Sequence, residues 1–287
     1  TISNKDFIIQ KVTPLLIKKI WGGSRLSQQV QVGESVEVSN LKGMSSSING
    51  KQLDTFISED QLPYIIKLID TNDNLSVQVH PDDDLANKLE SSKGKTECWV
   101  ILEAEESAGI YLGMKSTTTK EMIADYIKDN KNLDELLNFF PVKRGDFFYV
   151  PAGTIHAIGK GVFLFEVQQA SGITYRLWDW NRLDSNGKPR ELHIEKGMQA
   201  IKCKDVLEYQ RKNIFLNNNQ DYLINHPDFK VTAYSFNSTA IHQIKVNNTK
   251  RYTSFSCVAG AVKLKAANKS IVLKKGETCL LNSKAVN

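Results

Sequence analysis

The stretch Gly145-Asp-Phe-Phe-Tyr-Val-Pro-Ala-Gly-Thr-Ile-His156 decides the fold prediction. It opens with a glycine and a short apolar run, Asp146 to Val150, of the kind that forms a β-strand. Pro151 and Gly153 then set the backbone of a tight turn, and His156 follows just beyond it. This G-x5-P-x-G-x2-H pattern predicts a strand that ends in a rigid turn and presents a histidine.

The rest of the chain repeats the short-strand pattern. Leu75 to His80 and Val162 to Val167 are short runs bounded by turn-forming residues, which is typical of a β-sandwich or barrel. Helical spacing is rarer. Hydroxyl caps and apolar residues three to four apart predict a small helical insertion near 117–140, its second half running from Asn132 to Phe140. A further short helix is predicted from Ile194 to Ile201.

A second, smaller β-unit is predicted after a linker at Lys202 to Lys212. Strand alternation returns there, with Gly260 and Gly276 at turns, in four runs: Phe229 to Phe236, Ser254 to Val258, Val262 to Lys265 and Ser270 to Leu273. None of these runs repeats the His, Gln and Glu residues discussed below. We therefore expect a first domain at 1–204 that carries those residues and a second at 205–287 that lacks them.

Length and composition argue against several classes of protein. The 287 residues are 41% apolar and 24% charged, and no run of about 18 apolar residues could span a bilayer. The first residues lack the pattern of a secretory signal, so we expect a cytoplasmic location. The net charge of +5 comes from 37 basic and 32 acidic residues scattered along the chain, which argues against a nucleic-acid partner.

The cysteines indicate neither a disulfide framework nor a thiolate metal site. They are widely separated, form no C-x-x-C pair and are predicted to be reduced and mostly buried: Cys98, Cys203, Cys257 and Cys279. Composition leaves the oligomeric state open between monomer and dimer.

Polar residues on two predicted strands share one face of each strand. Ser76, Gln78 and His80 lie at i, i+2 positions, and Pro81 ends the strand so that His80 lies near an open rim. Lys95 and Glu97 have the same spacing on another strand. Each residue alone is typical of an exposed strand, so the candidate site depends on their combination with His156.

A divalent metal ion is the ligand that this combination predicts. Gln78, His80, Glu97 and His156 offer one amide oxygen, one carboxylate and two imidazoles, a set that suits one zinc or similar divalent ion per chain with an open position for water or substrate. Because only one of these groups is anionic, the ion would keep a net positive charge. It would then be a strong Lewis acid towards a carbonyl or enediolate oxygen, which suits aldose–ketose chemistry.

The same residues lie in stretches that resemble one family over nearly the whole chain. The stretches are Trp21-Gly-Gly, Gly33-Glu-Ser, Leu75-Ser-Val-Gln-Val-His-Pro-Asp-Asp83, Gly94-Lys-Thr-Glu97, Pro151-Ala-Gly-Thr-Ile-His-Ala157 and Thr174-Tyr-Arg-Leu-Trp-Asp179. The chain resembles the short bacterial type I phosphomannose isomerases of the cupin superfamily. The pattern at 145–156 is that of the second conserved cupin motif.

The resemblance implies a fold and an activity. The fold is mainly β: a cupin (jelly-roll-like) β-barrel with a small helical insertion at 1–204, followed by a smaller cupin-like β-domain at 205–287. The activity is a zinc-dependent, cytoplasmic interconversion of mannose 6-phosphate and fructose 6-phosphate through an enediol. The partner is then a small sugar phosphate, with no membrane involved.

Residue roles follow from the resemblance with some alternatives open. It implies a metal site at the four residues above and a catalytic arginine at Arg176, which either neutralises the enediolate, the role favoured, or clamps the phosphate. Glu166, Lys95 and a metal-bound water compete for the role of base. Glu166 is preferred because a turn at Gly159-Lys-Gly161 would fold its strand back beside the metal-binding histidine. Phosphate recognition falls to Ser76 and Arg182, with Lys95 as a further candidate.

Two other functions compete with an isomerase. Cupin barrels also hold non-haem iron in oxygenases, but Gln78 in place of a histidine, together with Lys95 and Arg176, argues for an anionic sugar instead. A non-enzymatic sugar-phosphate binding protein could have the same fold. His193, His226 and His242 have no partner pattern of a metal site, and we interpret them as structural or surface residues.

Overall fold

The computed structural model describes residues 7–184, 186–202, 212–214, 220–236, 241–246 and 250–285. Its strands, in chain order, are β1 Ile9–Lys11, β2 Leu15–Ile17, β3 Glu34–Val38, β4 Ser47–Ile48, β5 Lys51–Gln52, β6 Tyr64–Asp70, β7 Val77–Val79, β8 Glu97–Ala104, β9 Gly109–Met114, β10 Leu137–Pro141, β11 Asp146–Val150, β12 His156–Ile158, β13 Val162–Gln169, β14 Tyr175–Trp178, β15 Lys212–Asn213, β16 Gln220–Asn225, β17 Lys230–Tyr234, β18 Tyr252–Ser256, β19 Ala261–Ala266, β20 Lys269–Lys274 and β21 Thr278–Asn282. The helices are α1 Asp83–Glu90, α2 Lys120–Lys128 and α3 Ile194–Ala200, with short 3-10 helices at Leu53–Thr55, Leu133–Leu136 and Ser283–Ala285.

Two antiparallel sheets form the predicted cupin barrel. One has seven strands in the order β15-β11-β8-β13-β6-β3-β2, and the other has five in the order β10-β9-β12-β7-β14. In the larger sheet, Glu166 on β13 lies opposite Lys67 on β6 and Trp99 on β8. In the smaller sheet, Gln78 on β7 lies opposite both His156 on β12 and Arg176 on β14. Because directly opposed residues share a face, each register places polar groups side by side.

The space between the sheets is apolar at one end. Side chains of both sheets pack there into one cluster, which includes Ile69, Trp99 and Leu164 from the larger sheet and Ile110 and Leu112 from the smaller one. Buried charged and polar side chains occupy the rest of the interior. Strand alternation explains the arrangement, since residues two apart on one strand point to the same face.

The outer faces of both sheets are covered as well. Helices α2 and α3 bury Ile123 and Ala200 against the smaller sheet. The C-terminal β-unit, β16 to β21, buries Phe229 and Leu280 against the larger sheet. Strand β13 is therefore buried at every position, which explains why its sequence is nearly continuous in apolar residues rather than alternating.

The helical predictions are confirmed in part. Helix α2 begins after Thr119, whose hydroxyl accepts a hydrogen bond from the Met122 amide, and α3 matches the predicted short helix. The prediction for Asn132 to Phe140 is wrong in its second half. After a 3-10 turn the chain enters strand β10, because pairing with β9 satisfies the backbone of Leu137 to Pro141.

The predicted domain boundary near residue 204 stays a prediction. The linker lies largely outside the described residues. On the N-terminal side, β1 pairs with β21 of the C-terminal β-unit, and on the C-terminal side β15 pairs with β11 of the barrel. One strand from each side of the predicted boundary therefore pairs with a strand from the other side.

Two further sequence predictions concern cysteines and membranes. Cys98, Cys257 and Cys279 are free and buried, as expected, and Cys203 lies outside the described residues. No helix within the described ranges combines the length and the apolar character that crossing a membrane requires.

Burial of Glu37 makes stability depend on pH. This carboxyl is 3% exposed, accepts a 2.6 Å hydrogen bond from the Ser35 hydroxyl, and has its pKa raised by burial to about 7. The folded protein therefore binds this proton more tightly than the unfolded chain does. The associated stability is complete below pH 4.5 and is lost as pH rises towards 7.

We expect Glu37→Gln to stabilise the protein at pH 8 by about 3 kcal/mol and to have little effect at pH 5, because the amide stays neutral. Thermal unfolding across this pH range measures the difference. Glu59→Gln, at an exposed position, is the matched control. Equal pH dependence of wild type and Glu37→Gln would contradict the assignment.

Candidate active site

Three side chains that could hold a metal ion meet between the two sheets. His80 follows β7, His156 begins β12, and Glu97 begins β8 on the opposite sheet. Nε2 of His80 lies 3.4 Å from Oε2 of Glu97, and Nε2 of His156 lies 3.4 Å from its Oε1. One ligand atom of each residue lies within 4.8 Å of the others, and all three are buried. The predicted residues are thus brought together from both sheets.

Unsatisfied polar atoms indicate that this cluster fits a cation. Within the described part of the chain, neither ring nitrogen of His80 has a hydrogen-bond partner, and neither has Oε2 of Glu97. Buried polar atoms without partners are costly, and a metal ion bound beside Glu97 would satisfy Nε2 of His80 and Oε2 of Glu97. The residues present therefore fit a divalent metal.

The protonation states of His80 and His156 also fit a site for a divalent metal. Burial, reinforced by the charge of Lys95, lowers the pKa of His80 to about 3, so its imidazole is neutral and forms no ion pair with Glu97 at neutral pH. Burial also lowers the pKa of His156. Nδ1 of His156 lies 2.8 Å from the Thr154 carbonyl oxygen, which only a donating Nδ1–H can satisfy. Its Nε2 is left with a lone pair directed at the cluster.

Gln78 and Lys95 border the cluster. The Gln78 amide nitrogen lies 3.4 Å from Nε2 of His156, and a half-turn of the amide would bring its oxygen to the same place. Nζ of Lys95 lies 3.6 Å from Oε2 of Glu97. Burial opposes ionisation of Glu97, but Lys95 and the neighbouring imidazoles hold its pKa well below the usual range. Glu97 is therefore anionic and could serve as a metal ligand.

Glu166 faces the site from the larger sheet. Oε2 of Glu166 accepts a 3.0 Å hydrogen bond from the Trp99 indole, whose ring lies edge-on to His156 with the ring centroids 5.4 Å apart. Burial and the charge of Glu97 raise the pKa of Glu166 to about 7, against the opposing effect of Lys67. The predicted hairpin at residues 159–161 is wrong. That turn carries the chain to the other sheet, so Glu166 approaches His156 from across the barrel.

Arg176 lies beside the cluster and Ser76 is buried just before β7. The register places Arg176 opposite Gln78, where its guanidinium donates a 2.7 Å hydrogen bond to the Glu191 carbonyl oxygen. Its backbone amide donates to Nδ1 of His193, so His193 has the predicted structural role. Ser76 is 4% exposed.

Arg182 is held by carboxylates. Its guanidinium bonds Asp179 at 2.6 Å and Asp73 at 3.0 Å. Arg190 binds the same Asp179 through two nitrogens, at 2.7 and 2.6 Å. The charge of Arg182 is therefore largely neutralised, and the sequence offered no signal for the involvement of Arg190.

The chain is similar to known proteins over almost its entire length. Residues 20–97 match the family described as phosphomannose isomerase type I, catalytic domain. The chain is 34% identical to the mannose-6-phosphate isomerase of Streptococcus mutans, in an alignment that covers 92% of this chain and 89% of that protein. The chain belongs to the type I phosphomannose isomerase family. This membership confirms the resemblance inferred from the motifs.

Solved structures agree with the family assignment. The mannose 6-phosphate isomerase of Bacillus subtilis superimposes with a TM-score of 0.78 at 28% identity, covering 98% of this chain and 95% of that one. A more distant structure, described as mannose 6-phosphate isomerase bound with zinc and yttrium, has a TM-score of 0.66 at 15% identity and shares the fold. The cupin architecture predicted from sequence is thereby confirmed.

A partly buried ion-pair row in this member of the family was missed by sequence reasoning. Nζ of Lys67 and Nζ of Lys19 each lie 3.7 Å from Oε2 of Glu34. Lys67 is 6% exposed, and despite burial the charge of Glu34 raises its pKa. The signal was present in the sequence, because Lys67 interrupts the apolar strand Tyr64–Asp70. The row extends the positive charge of the site from Lys95 along the larger sheet.

Proposed function

We propose that this chain interconverts mannose 6-phosphate and fructose 6-phosphate. The observation that carries the proposal is the buried His80, Glu97 and His156 cluster in a member of the type I phosphomannose isomerase family. Lys67, Lys95 and Arg176 supply positive charge for an anionic substrate. The names of the relatives from Streptococcus mutans and Bacillus subtilis support mannose 6-phosphate as the substrate of an isomerase.

The proposed cofactor is one zinc ion per chain. His80, Glu97 and His156 would hold it, with the amide oxygen of Gln78 as a fourth ligand. This donor set fits zinc, which one distant structural relative binds according to its description. When bound, the ion supplies Lewis-acid stabilisation of negative charge on a sugar oxygen.

Proton transfer is assigned to Glu166. In open-chain mannose 6-phosphate the C2–H bond breaks, the proton passes to the carboxylate, and the electron pair forms a C1–C2 double bond as charge moves to O1. Return of the proton to C1, with loss of the O2 hydroxyl proton and protonation of O1, gives the ketose. A pKa of about 7 suits a group that must both take and return a proton near neutral pH. Lys95 and metal-bound water remain the alternatives that the experiment below distinguishes.

Positive groups take the remaining roles. Lys95, an ammonium 3.6 Å from Glu97, and Arg176 stabilise the enediolate. Ser76 and Arg182 are the proposed phosphate contacts. In the described part of the chain, Nε of Arg176 and Nε of Arg182 are buried without hydrogen-bond partners. Arg182 must keep its pairs with Asp179 and Asp73, so only its Nε is left as a donor for a phosphate.

Turnover tests the function directly. We expect the zinc-loaded protein to convert mannose 6-phosphate to fructose 6-phosphate in a coupled assay, and a chelator to abolish the reaction. Binding of mannose 6-phosphate without conversion would instead identify a sugar-phosphate binding protein. Consumption of oxygen with iron supplied would identify an oxygenase.

Two substitutions separate metal binding from charge stabilisation. His156→Ala should remove most bound zinc and most activity, because it deletes a ligand. Arg176→Ala should keep full zinc occupancy and lower kcat by roughly 100-fold, the effect of losing one stabilising donor. Metal analysis of the purified variants, combined with steady-state kinetics, gives both quantities. Full zinc occupancy in His156→Ala would show that the metal lies elsewhere.

Glu166→Gln tests the base. The amide can still accept the Trp99 hydrogen bond but cannot take a proton, so exchange of the C2 proton with solvent should slow by about 100-fold or more. In the wild type, kcat should rise as pH increases through an acid limb at or below pH 7, because Glu166 must be ionised and a bound cation lowers its pKa further. Glu106→Gln, at an exposed position, is the control. Unchanged exchange would transfer the role to Lys95 or to metal-bound water.

A further inference from the structure

Gln169, at the end of β13, connects segments that border the metal centre. Its side-chain oxygen accepts a 2.8 Å hydrogen bond from the backbone N–H of Thr96. Its backbone N–H donates a 3.0 Å hydrogen bond to the Thr96 carbonyl oxygen. Gln169 is 1% exposed. Thr96 lies between Lys95 and Glu97, so these two bonds hold the backbone that presents both groups to the site.

The side-chain nitrogen of Gln169 has two carboxylate acceptors. It lies 3.1 Å from Oδ1 of Asp83 and 2.9 Å from Oδ2 of Asp228. Asp83 Oδ1 also accepts a 2.8 Å bond from the Gly94 amide. All hydrogen-bonding atoms of the Gln169 amide are therefore used, and its orientation is determined by its neighbours.

The same network reaches both metal-binding histidines. Asp83 lies three residues after His80, and the Gly153 amide donates a 2.8 Å bond to the His80 carbonyl. The Thr96 hydroxyl accepts a 3.1 Å bond from the Ala152 amide, in the turn that leads to His156. Backbone segments carrying all three ligands of the cluster are thus linked through Thr96 and its neighbours.

Asp228 belongs to the C-terminal β-unit rather than to the barrel. It lies in the turn between β16 and β17, where its amide donates a 3.2 Å bond to Nδ1 of His226. The His226 ring stacks on Phe229 with centroids 5.0 Å apart, and Phe229 is buried in the core shared with the larger sheet. Nζ of Lys93 lies 3.3 Å from the other carboxylate oxygen of Asp228. These contacts hold the turn in place in addition to the bond between Asp228 and Gln169.

We propose that Asp228, acting through the Gln169 amide, is a positioning residue by which the C-terminal β-unit holds the metal-binding backbone in register. Without this acceptor, one donor of Gln169 would be buried and unsatisfied, and the amide could rotate away from Thr96. Glu97 would then be presented less rigidly. The C-terminal β-unit, which contributes no residue to the cluster, has by this interaction a direct influence on metal affinity.

The test compares three variants of the full chain. Asp228→Ala removes the acceptor and should weaken zinc affinity about threefold to tenfold, somewhat less than the effect of a group that contacts a ligand directly. Asp228→Asn keeps an acceptor oxygen and should restore affinity to within about twofold of wild type. Lys93→Met removes the partly exposed ion pair but not the bond to Gln169, so zinc affinity should also stay within about twofold of wild type. Competition with a chromophoric chelator measures each affinity.

Exchange of backbone amide hydrogens tests the proposal at Thr96 itself and does not depend on turnover. The Thr96 amide should exchange faster in metal-free Asp228→Ala than in the wild type, while amides of the β19–β20 hairpin exchange at equal rates. Wild-type zinc affinity together with unchanged Thr96 exchange in Asp228→Ala would overturn the proposal. So would equal losses in Asp228→Asn and Asp228→Ala. If Asp228→Ala does not fold, the Asn and Met variants give the decision: zinc affinity within about twofold of wild type in both supports the amide bond, whereas a loss of about threefold or more in both would show that charge, not the amide bond, is responsible.

The inference rests on the proposed function only where it concerns the metal as a cofactor. Absence of mannose 6-phosphate turnover in the wild type would defeat the proposed function and leave the affinity and exchange comparisons intact. Normal turnover with no effect of Asp228→Ala on either quantity would defeat this inference alone.

Discussion

The rest of the structure depends on one buried carboxylate, Glu97, which must stay ionised between two neutral imidazoles. A lone charge in such a place is costly, and the ammonium of Lys95 at 3.6 Å offsets part of that cost. The lone pairs of the two histidines face the same space, so a cation held by all three residues would offset the rest. The same burial lowers the pKa of His80 and raises that of Glu166. Two carboxylates in one cavity are thereby separated into a permanent anion and a group that titrates near neutral pH.

The two-sheet architecture is what brings these groups together. His80 and His156 come from the smaller sheet, while Glu97 and Glu166 come from the larger one. Both sheets also carry apolar side chains on the faces that point away from the barrel interior. Other elements must pack on these outer faces, because each sheet would otherwise expose an apolar surface to water. Helices cover one sheet and the C-terminal β-unit covers the other. The C-terminal β-unit is thus part of the physical basis of the site, through the core it shares with the larger sheet and through Asp228.

Positive charge in the site is arranged in a row. Lys19, Glu34 and Lys67 alternate in sign, so the buried Lys67 has an opposite charge beside it. Burial opposes ionisation of Glu34, but Lys67 and Lys19 hold its pKa below the usual range. An anionic sugar would meet ammonium groups already desolvated and oriented by the protein, which strengthens their electrostatic effect.

The sequence by itself determined the fold class, the four candidate ligands and the family, because strand alternation and the motif at 145–156 are local properties of the chain. It also indicated helices α2 and α3 through their caps and apolar spacing. Only the tertiary structure decided that the turn at 159–161 changes sheets, that residues 137–141 pair as a strand, and that Lys67, Glu34 and Asp228 bear on the site. These outcomes depend on contacts between residues far apart in the chain, whose free energy no local pattern records. Gln169 illustrates the reason: its neighbours at positions 83, 96 and 228 are adjacent only after the barrel closes and the C-terminal β-unit docks.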